Sequence, residues 1–173
     1  MPIWDNDGTT SHAIGKIWDY NGSTATQIHV IYDNDGTSSY EIYRAEETLF
    51  SGLTQETAGA YSQGQTTEVW SPEYTNDGFA SLAVTGTVGA TVLDQGEVTF
   101  GTKTIIQGYS GGSWSNLKTY NCDGNGDISI NASATVNING YSKIRVYTYC
   151  QRANVPNATV AKAWTNNLKG IAT

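Results

Sequence analysis

This sequence predicts an all-β protein, a short repeat β-meander followed by a β-sandwich or jelly-roll-like domain. Three observations predict it. Turn signals of the Asn-Gly and Asp-Gly kind punctuate the chain, and these residues permit the positive φ that tight hairpin turns require. Between them apolar and polar residues alternate with the strand period of two. No stretch of twelve residues carries a convincing helical period.

The composition agrees. A chain of 173 residues suits one substantial domain, with or without a short appendage. At 38% hydrophobic and 11% aromatic it can build a core, which argues against bulk disorder. Charged residues reach only 14%, against roughly 25% in an ordinary soluble domain. Ser, Thr, Asn and Gly replace them, as on β-proteins that work outside the cytoplasm or within large assemblies. The net charge of -7 is concentrated at the front, where Asp5, Asp7, Asp19, Asp33, Asp35, Glu41, Glu46 and Glu47 face only Lys16 and Arg44. No basic stripe is present, which argues against nucleic acid and against an anionic membrane surface. No stretch approaches the ~20 apolar residues of a membrane helix. Met1-Pro2-Ile3-Trp4-Asp5 has neither the basic end nor the apolar run of a secretory leader. An extracellular destination would then need another route, such as release inside a virus particle.

Residues 1–45 repeat with a period of fourteen. An aromatic residue at 4, 18 and 32 is followed by Asp, then by Gly at 8, 22 and 36, and by Ile at 14, 28 and 42. Fourteen residues read as one strand plus one turn, so the segment is expected to be a meander of three or four strands. Such a sheet is marginal unless its apolar face is covered. Trp4, Ile14, Ile17, Trp18, Ile28, Ile31, Tyr32 and Ile42 are the candidate assembly interface. His12 and His29 stand alone among Ser, Thr and Ile and read as solvent-facing strand residues. Asp-Asn-Asp-Gly lacks the later bidentate Glu of a calcium loop, so turn chemistry accounts for the acids without a metal.

Residues 46–67 read as a polar connector or short helix, and residues 68–173 as the sandwich. Strands are expected over 78–88, 96–109, 113–122, 127–138, 141–152 and 158–167. The alternation is cleanest where Ile144, Val146, Thr148 and Cys150 oppose Lys143, Arg145, Tyr147 and Tyr149. Cys150 thus falls on an apolar face and, with Cys122, reads as a small buried hydrophobe, although the two could also form one disulfide. "DGNGD" at 123–127 opens like a calcium loop, but Ile128 and Ala134 stand where Gly and Glu are needed. It reads as a turn. Asn21, Asn131 and Asn157 begin Asn-x-Ser/Thr sequons at a frequency so polar a chain produces by chance.

No nucleophile elbow, metal-ligand cluster or phosphate loop is present, and no catalytic residue or cofactor is assigned. A carboxylate pair drawn from Glu56, Glu68, Glu73, Asp77, Asp94 and Glu97 stays open in principle, without distinguishing context. The aromatic residues Trp70, Tyr74, Tyr109, Trp114, Tyr120, Tyr141, Tyr147, Tyr149 and Trp164 are more informative. Flat rings flanked by polar side chains stack on sugars, while core or intersubunit packing is the favoured reading for Trp114 and Trp164. Tyr109, Trp114, Asn116, Tyr147 and Tyr149 are the candidate ligand-binding residues, with the loop at 108–116 foremost.

The repeat "WDNDGTT..AIGKIWDYNGST..QIHVIYDNDGT..YEIY" resembles the openings of small structural proteins of tailed bacteriophages and prophages of Gram-positive gut bacteria. The likeness covers about residues 3–45 and carries no catalytic residue with it. It implies a virion-surface protein, a head fibre, decoration protein or tail-tip adhesin. The repeats would anchor it to other virion proteins, and the sandwich would face outward toward cell-surface glycans. Because such fibres are commonly trimers, it also implies a homotrimer closed by the repeats. A bacterial extracellular carbohydrate-binding module is the alternative.

Overall fold

The computed structural model describes residues 3–6, 11–14, 17–20, 25–28, 30–34, 39–60, 64–93, 101–122, 127–151 and 160–173. The chain forms two compact units, Met1–Glu47 with Thr173, and Thr48–Ala172. Among the described residues all regular structure is strand.

The first unit holds six short strands, β1 (Ile3–Asn6), β2 (Ser11–Ile14), β3 (Ile17–Tyr20), β4 (Ala25–Ile28), β5 (Val30–Asn34) and β6 (Ser39–Arg44). They pair as three separate antiparallel ladders, β1 with β2, β3 with β4, and β5 with β6. Each fourteen-residue repeat is therefore a hairpin of two strands, where the sequence suggested one strand and one turn. Ile3 faces Ile14, and Ile17 faces Ile28. In the third ladder Ile31 faces Tyr43 while Tyr32 faces Glu41, so Ile42 is the additional residue of a bulge. The turns at 7–10, 21–24 and 35–38 and His29 lie outside the described residues. So do the side chains of Trp4, His12, Ile14, Ile17, Trp18, Ile28, Tyr32 and Ile42, while Ile31 is half-buried.

The second unit is a sandwich of β7 (Glu47–Glu56), β8 (Thr66–Trp70), β9 (Tyr74–Thr75), β10 (Ser81–Leu93), β11 (Gly101–Ser110), β12 (Ser113–Asn121), β13 (Ile128–Asn131), β14 (Ala134–Asn137), β15 (Lys143–Gln151) and β16 (Val160–Ala172). One sheet runs β13-β10-β16-β7 with β14 continuing beside β10. The other runs β12-β11-β15-β8 with β9 continuing beside β15. Taking β8/β9 and β13/β14 as two broken strands, the chain changes sheet at every connection except the β11–β12 hairpin. That is the wrapping of a jelly roll. The hairpin turns on Gly111 and Gly112, both at positive φ (58° and 85°), the backbone of a tight two-residue turn.

The core lies between the sheets. Leu82, Val84, Val88 and Ala90 of β10 meet Ile106 of β11, Ile144 and Val146 of β15, and Leu168 and Ala172 of β16. Toward the far end of β15 the interior turns polar, where Thr102, Thr104, Thr148 and Thr165 are buried. Gln55 Nε2 donates to Thr148 Oγ1 at 2.8 Å and the Gln55 backbone N–H to Thr165 Oγ1 at 3.2 Å, so these groups are paired as burial requires. Cys122 and Cys150 are both buried, and no disulfide joins them. Strand β11 separates them, its Thr102 facing Cys150 on one side and accepting the Cys122 N–H on the other.

The expected polar connector at 46–67 is corrected. Ten of its residues form β7, an edge strand whose Leu49 and Phe50 are buried in the core. Gly52, at φ 67°, breaks the alternation there, and the polar residues after it occupy the open edge. That combination made the segment read as a linker.

Candidate functional site: the outer face of the β12-β11-β15-β8 sheet

The strict alternation of β15 buries Ile144, Val146, Thr148 and Cys150 and leaves Lys143, Arg145, Tyr147 and Tyr149 on the outer face. Register then selects their neighbours. Trp70 of β8 stands opposite Tyr147, and Glu68 opposite Tyr149. Gln107 of β11 stands opposite Arg145 and Tyr109 opposite Lys143. On β12, Asn116 faces Gln107 and Trp114 faces Tyr109. All five sequence-predicted ligand residues are thus on one sheet face.

They form a continuous ladder. Trp70 and Tyr147 stack with centroids 3.9 Å apart and planes 15° from parallel. The Arg145 guanidinium lies 3.9 Å from the Trp70 ring centre and 3.9 Å from that of Trp114, held between two indoles by cation–π attraction. Tyr109 leans on Trp114 at 5.2 Å, and Tyr149 on Tyr147 at 6.0 Å. Lys143 Nζ sits 5.7 Å from the Tyr109 centroid. Beneath the ladder Ile105 and Gln107 are only 6% and 8% exposed although they point outward. The rings act as a second, external core layer.

Hydrogen bonds fix the ladder. Arg145 Nε–H donates to Gln107 Oε1 at 2.9 Å, and Gln107 Nε2–H donates to Asn116 Oδ1 at 2.7 Å. Tyr147 Oη–H donates to a Glu68 carboxylate oxygen at 2.7 Å. Lys143 and Glu73 form an ion pair at 2.7 Å. Burial, and then the Glu68 bond, raise the Tyr147 hydroxyl well above the usual phenol range, so it stays a donor. Burial between the indoles lowers the Arg145 guanidinium from its ordinary value, yet a guanidinium remains charged in proteins.

The arrangement has a chemical consequence. Trp70 has Tyr147 on one face and Arg145 on the other, so the inner rings offer a ligand their edges and polar rims. Trp70 still leaves 41% of its surface to solvent. Sequence reasoning left Trp70, Arg145 and Gln107 out of the site. Trp70 was legible as an aromatic, but nothing linear tells that β8 lies beside β15. Tyr120, grouped with the outward rings by sequence, is a core residue, and Tyr74 and Tyr141 pack against the core. The glycine-rich loop at 108–116 is the β11–β12 hairpin, which brings Tyr109 and Trp114 together across the strands. The 123–126 turn and the acids Asp94 and Glu97 lie outside the described residues.

No family model matches the sequence, and no curated protein matches it. Among solved structures, a chain of infectious bursal disease virus Gx strain superposes with a TM-score of 0.44 at 10% identity, covering 94% of this chain and 42% of that one. The Gt strain of the same virus gives 0.43 at 10% identity, covering 88% and 40%. The CBM22-1-GH10 modules of Clostridium thermocellum endo-1,4-β-D-xylanase 10B, complexed with xylohexaose, give 0.36 at 11% identity, covering 72% and 28%. The chain spans about two fifths of the length of the virus chains it matches.

Proposed function

We propose that this chain is a non-enzymatic structural protein of a bacteriophage particle, displayed at the virion surface as a fibre, decoration protein or adhesin. The repeats anchor it to other virion proteins and close it into a homotrimer. The sandwich presents the outer face of the β12-β11-β15-β8 sheet to glycans of the host surface. The ladder carries this reading: two Trp, three Tyr, an Arg and two amide side chains converge on one face, each held in place by stacking or hydrogen bonds. Preorganised aromatic and polar groups are what sugar recognition needs. Jelly rolls serve in both capsids and lectins, an analogy of fold alone.

The test is titration of the full chain with host cell-wall glycans, for the wild type and for Trp114→Ala, together with labelling of purified particles. Saturable binding that weakens at least about tenfold in the variant, with the chain present on particles, is the expected result. Binding without particle association would move the chain to the class of bacterial carbohydrate-binding modules. No binding to any cell-wall fraction would remove the glycan role.

A further inference from the structure

The glycan reading leaves the chemistry of the sugar open, and Arg145 narrows it. We infer that the Arg145 guanidinium is the centre of an oxyanion subsite, binding a carboxylate or phosphate carried on a saccharide. This rests on the glycan reading and goes beyond it.

A guanidinium carries five N–H donors in one plane. In Arg145 the Nε–H is used on Gln107, which is itself held by Asn116. The four Nη–H donors have no acceptor among the described residues. The guanidinium carbon lies 3.9 Å from the ring centres of both Trp70 and Trp114. What remains available is the edge of the fork, fixed in orientation, and that edge matches two oxygens of a carboxylate or phosphate in a bidentate pair. Water or a sugar hydroxyl could accept one such bond, but an oxyanion also satisfies the charge.

Neither acid of this face hydrogen-bonds Arg145, although the Glu73 charge acts on the guanidinium through space. Glu73 is bound by Lys143 at 2.7 Å and Glu68 by the Tyr147 hydroxyl at 2.7 Å. Among the described residues this face carries Lys103, Lys143 and Arg145 against Glu68 and Glu73, a positive balance within a chain of net charge -7. A half-exposed cation packed against two indoles with its edge open is preorganised, so a ligand need not order it.

The experiment uses the full chain and three probes: an oligoglucuronate, the same oligomer with its carboxyls reduced to alcohols, and a glycerol phosphate oligomer. Affinities are read by calorimetry at low and high salt. The expected result is that one or both anionic probes bind at least about tenfold more tightly than the reduced oligomer. That preference shrinks with salt, and Arg145→Lys, which keeps the charge and loses the fork, removes most of it. Whichever anionic probe is favoured identifies carboxylate or phosphate as the natural group. If Arg145→Lys does not fold, the wild-type comparison between the oligomer and its reduced form decides alone. Equal binding of the two forms overturns the subsite while leaving glycan binding intact, and Arg145 is then a rung of the ladder only. No binding of any probe, with host glycans still bound, also overturns it. No binding of probes or host glycans removes the glycan reading with it.

Discussion

Tyr120 is 7% exposed, and its hydroxyl has no hydrogen-bond partner among the described residues. Burial raises its pKa, the response of a group held away from water. A buried unpaired hydroxyl costs stability, whereas Phe of the same shape does not. Tyr120→Phe is therefore expected to be neutral or to stabilise by about 1 kcal/mol, read as a rise of roughly 2–4 °C in Tm. A loss beyond about 1 kcal/mol would mean that the hydroxyl has an internal water or other partner. Cys150 makes a pH prediction. Burial pushes its thiol from an ordinary value of 9.0 up to about 11, so the folded state favours the neutral form. This contribution is complete below pH 9 and is lost as pH rises through the window toward 11. Denaturant titrations at stepped pH should show wild-type stability falling there, and Cys150→Ala should flatten that portion of the curve. At this scale the sequence revealed which residues were aromatic, polar or alternating. It did not reveal that Arg145 sits between Trp70 and Trp114, because that contact depends on three registers joining the four strands β8, β15, β11 and β12.

Single residues decide how the strands end and join. Asn76, buried beside the β9–β10 connection, accepts the Phe79 N–H at 3.0 Å. Its amide lies 3.2, 3.1 and 2.8 Å from the Phe79, Ile138 and Tyr141 carbonyls. It clasps two loops at the same end of the sandwich. Asn76→Ala would orphan several buried backbone groups and is expected to cost about 3 kcal/mol. The exposed neighbour Asn139→Ala should stay within about 0.5 kcal/mol; chemical denaturation of both variants checks the contrast. Strands whose alternation keeps one phase, such as β15, were legible almost to the residue. Those that change phase were not. In β16, Asn167 takes a left-handed φ of 51° within a register shift against β10, and the inward set passes from Ala163 and Thr165 to Leu168 and Ala172. The alternation therefore seemed to stop at 167, while the strand continues to Ala172. β7 was obscured in the same way by Gly52.

At the scale of the molecule, the proposal assigns two tasks to two units. The repeats assemble and attach the protein, and the sandwich presents the ladder. The fourteen-residue period was visible at once, but its meaning as a hairpin per repeat was not, because strands of four residues are too short for alternation to separate from turns. The sandwich was legible because its long strands bury one full face. The division of labour is tested most directly by mass. Light scattering is measured on the full 18.6 kDa chain and on a chain beginning at Glu46, with circular dichroism confirming that the shortened chain keeps its sheet. The account predicts that the full chain has the mass of three protomers and the shortened chain that of one. Equal oligomeric states for the two would contradict it, and the repeats would then be a docking surface for another protein or have no part in assembly.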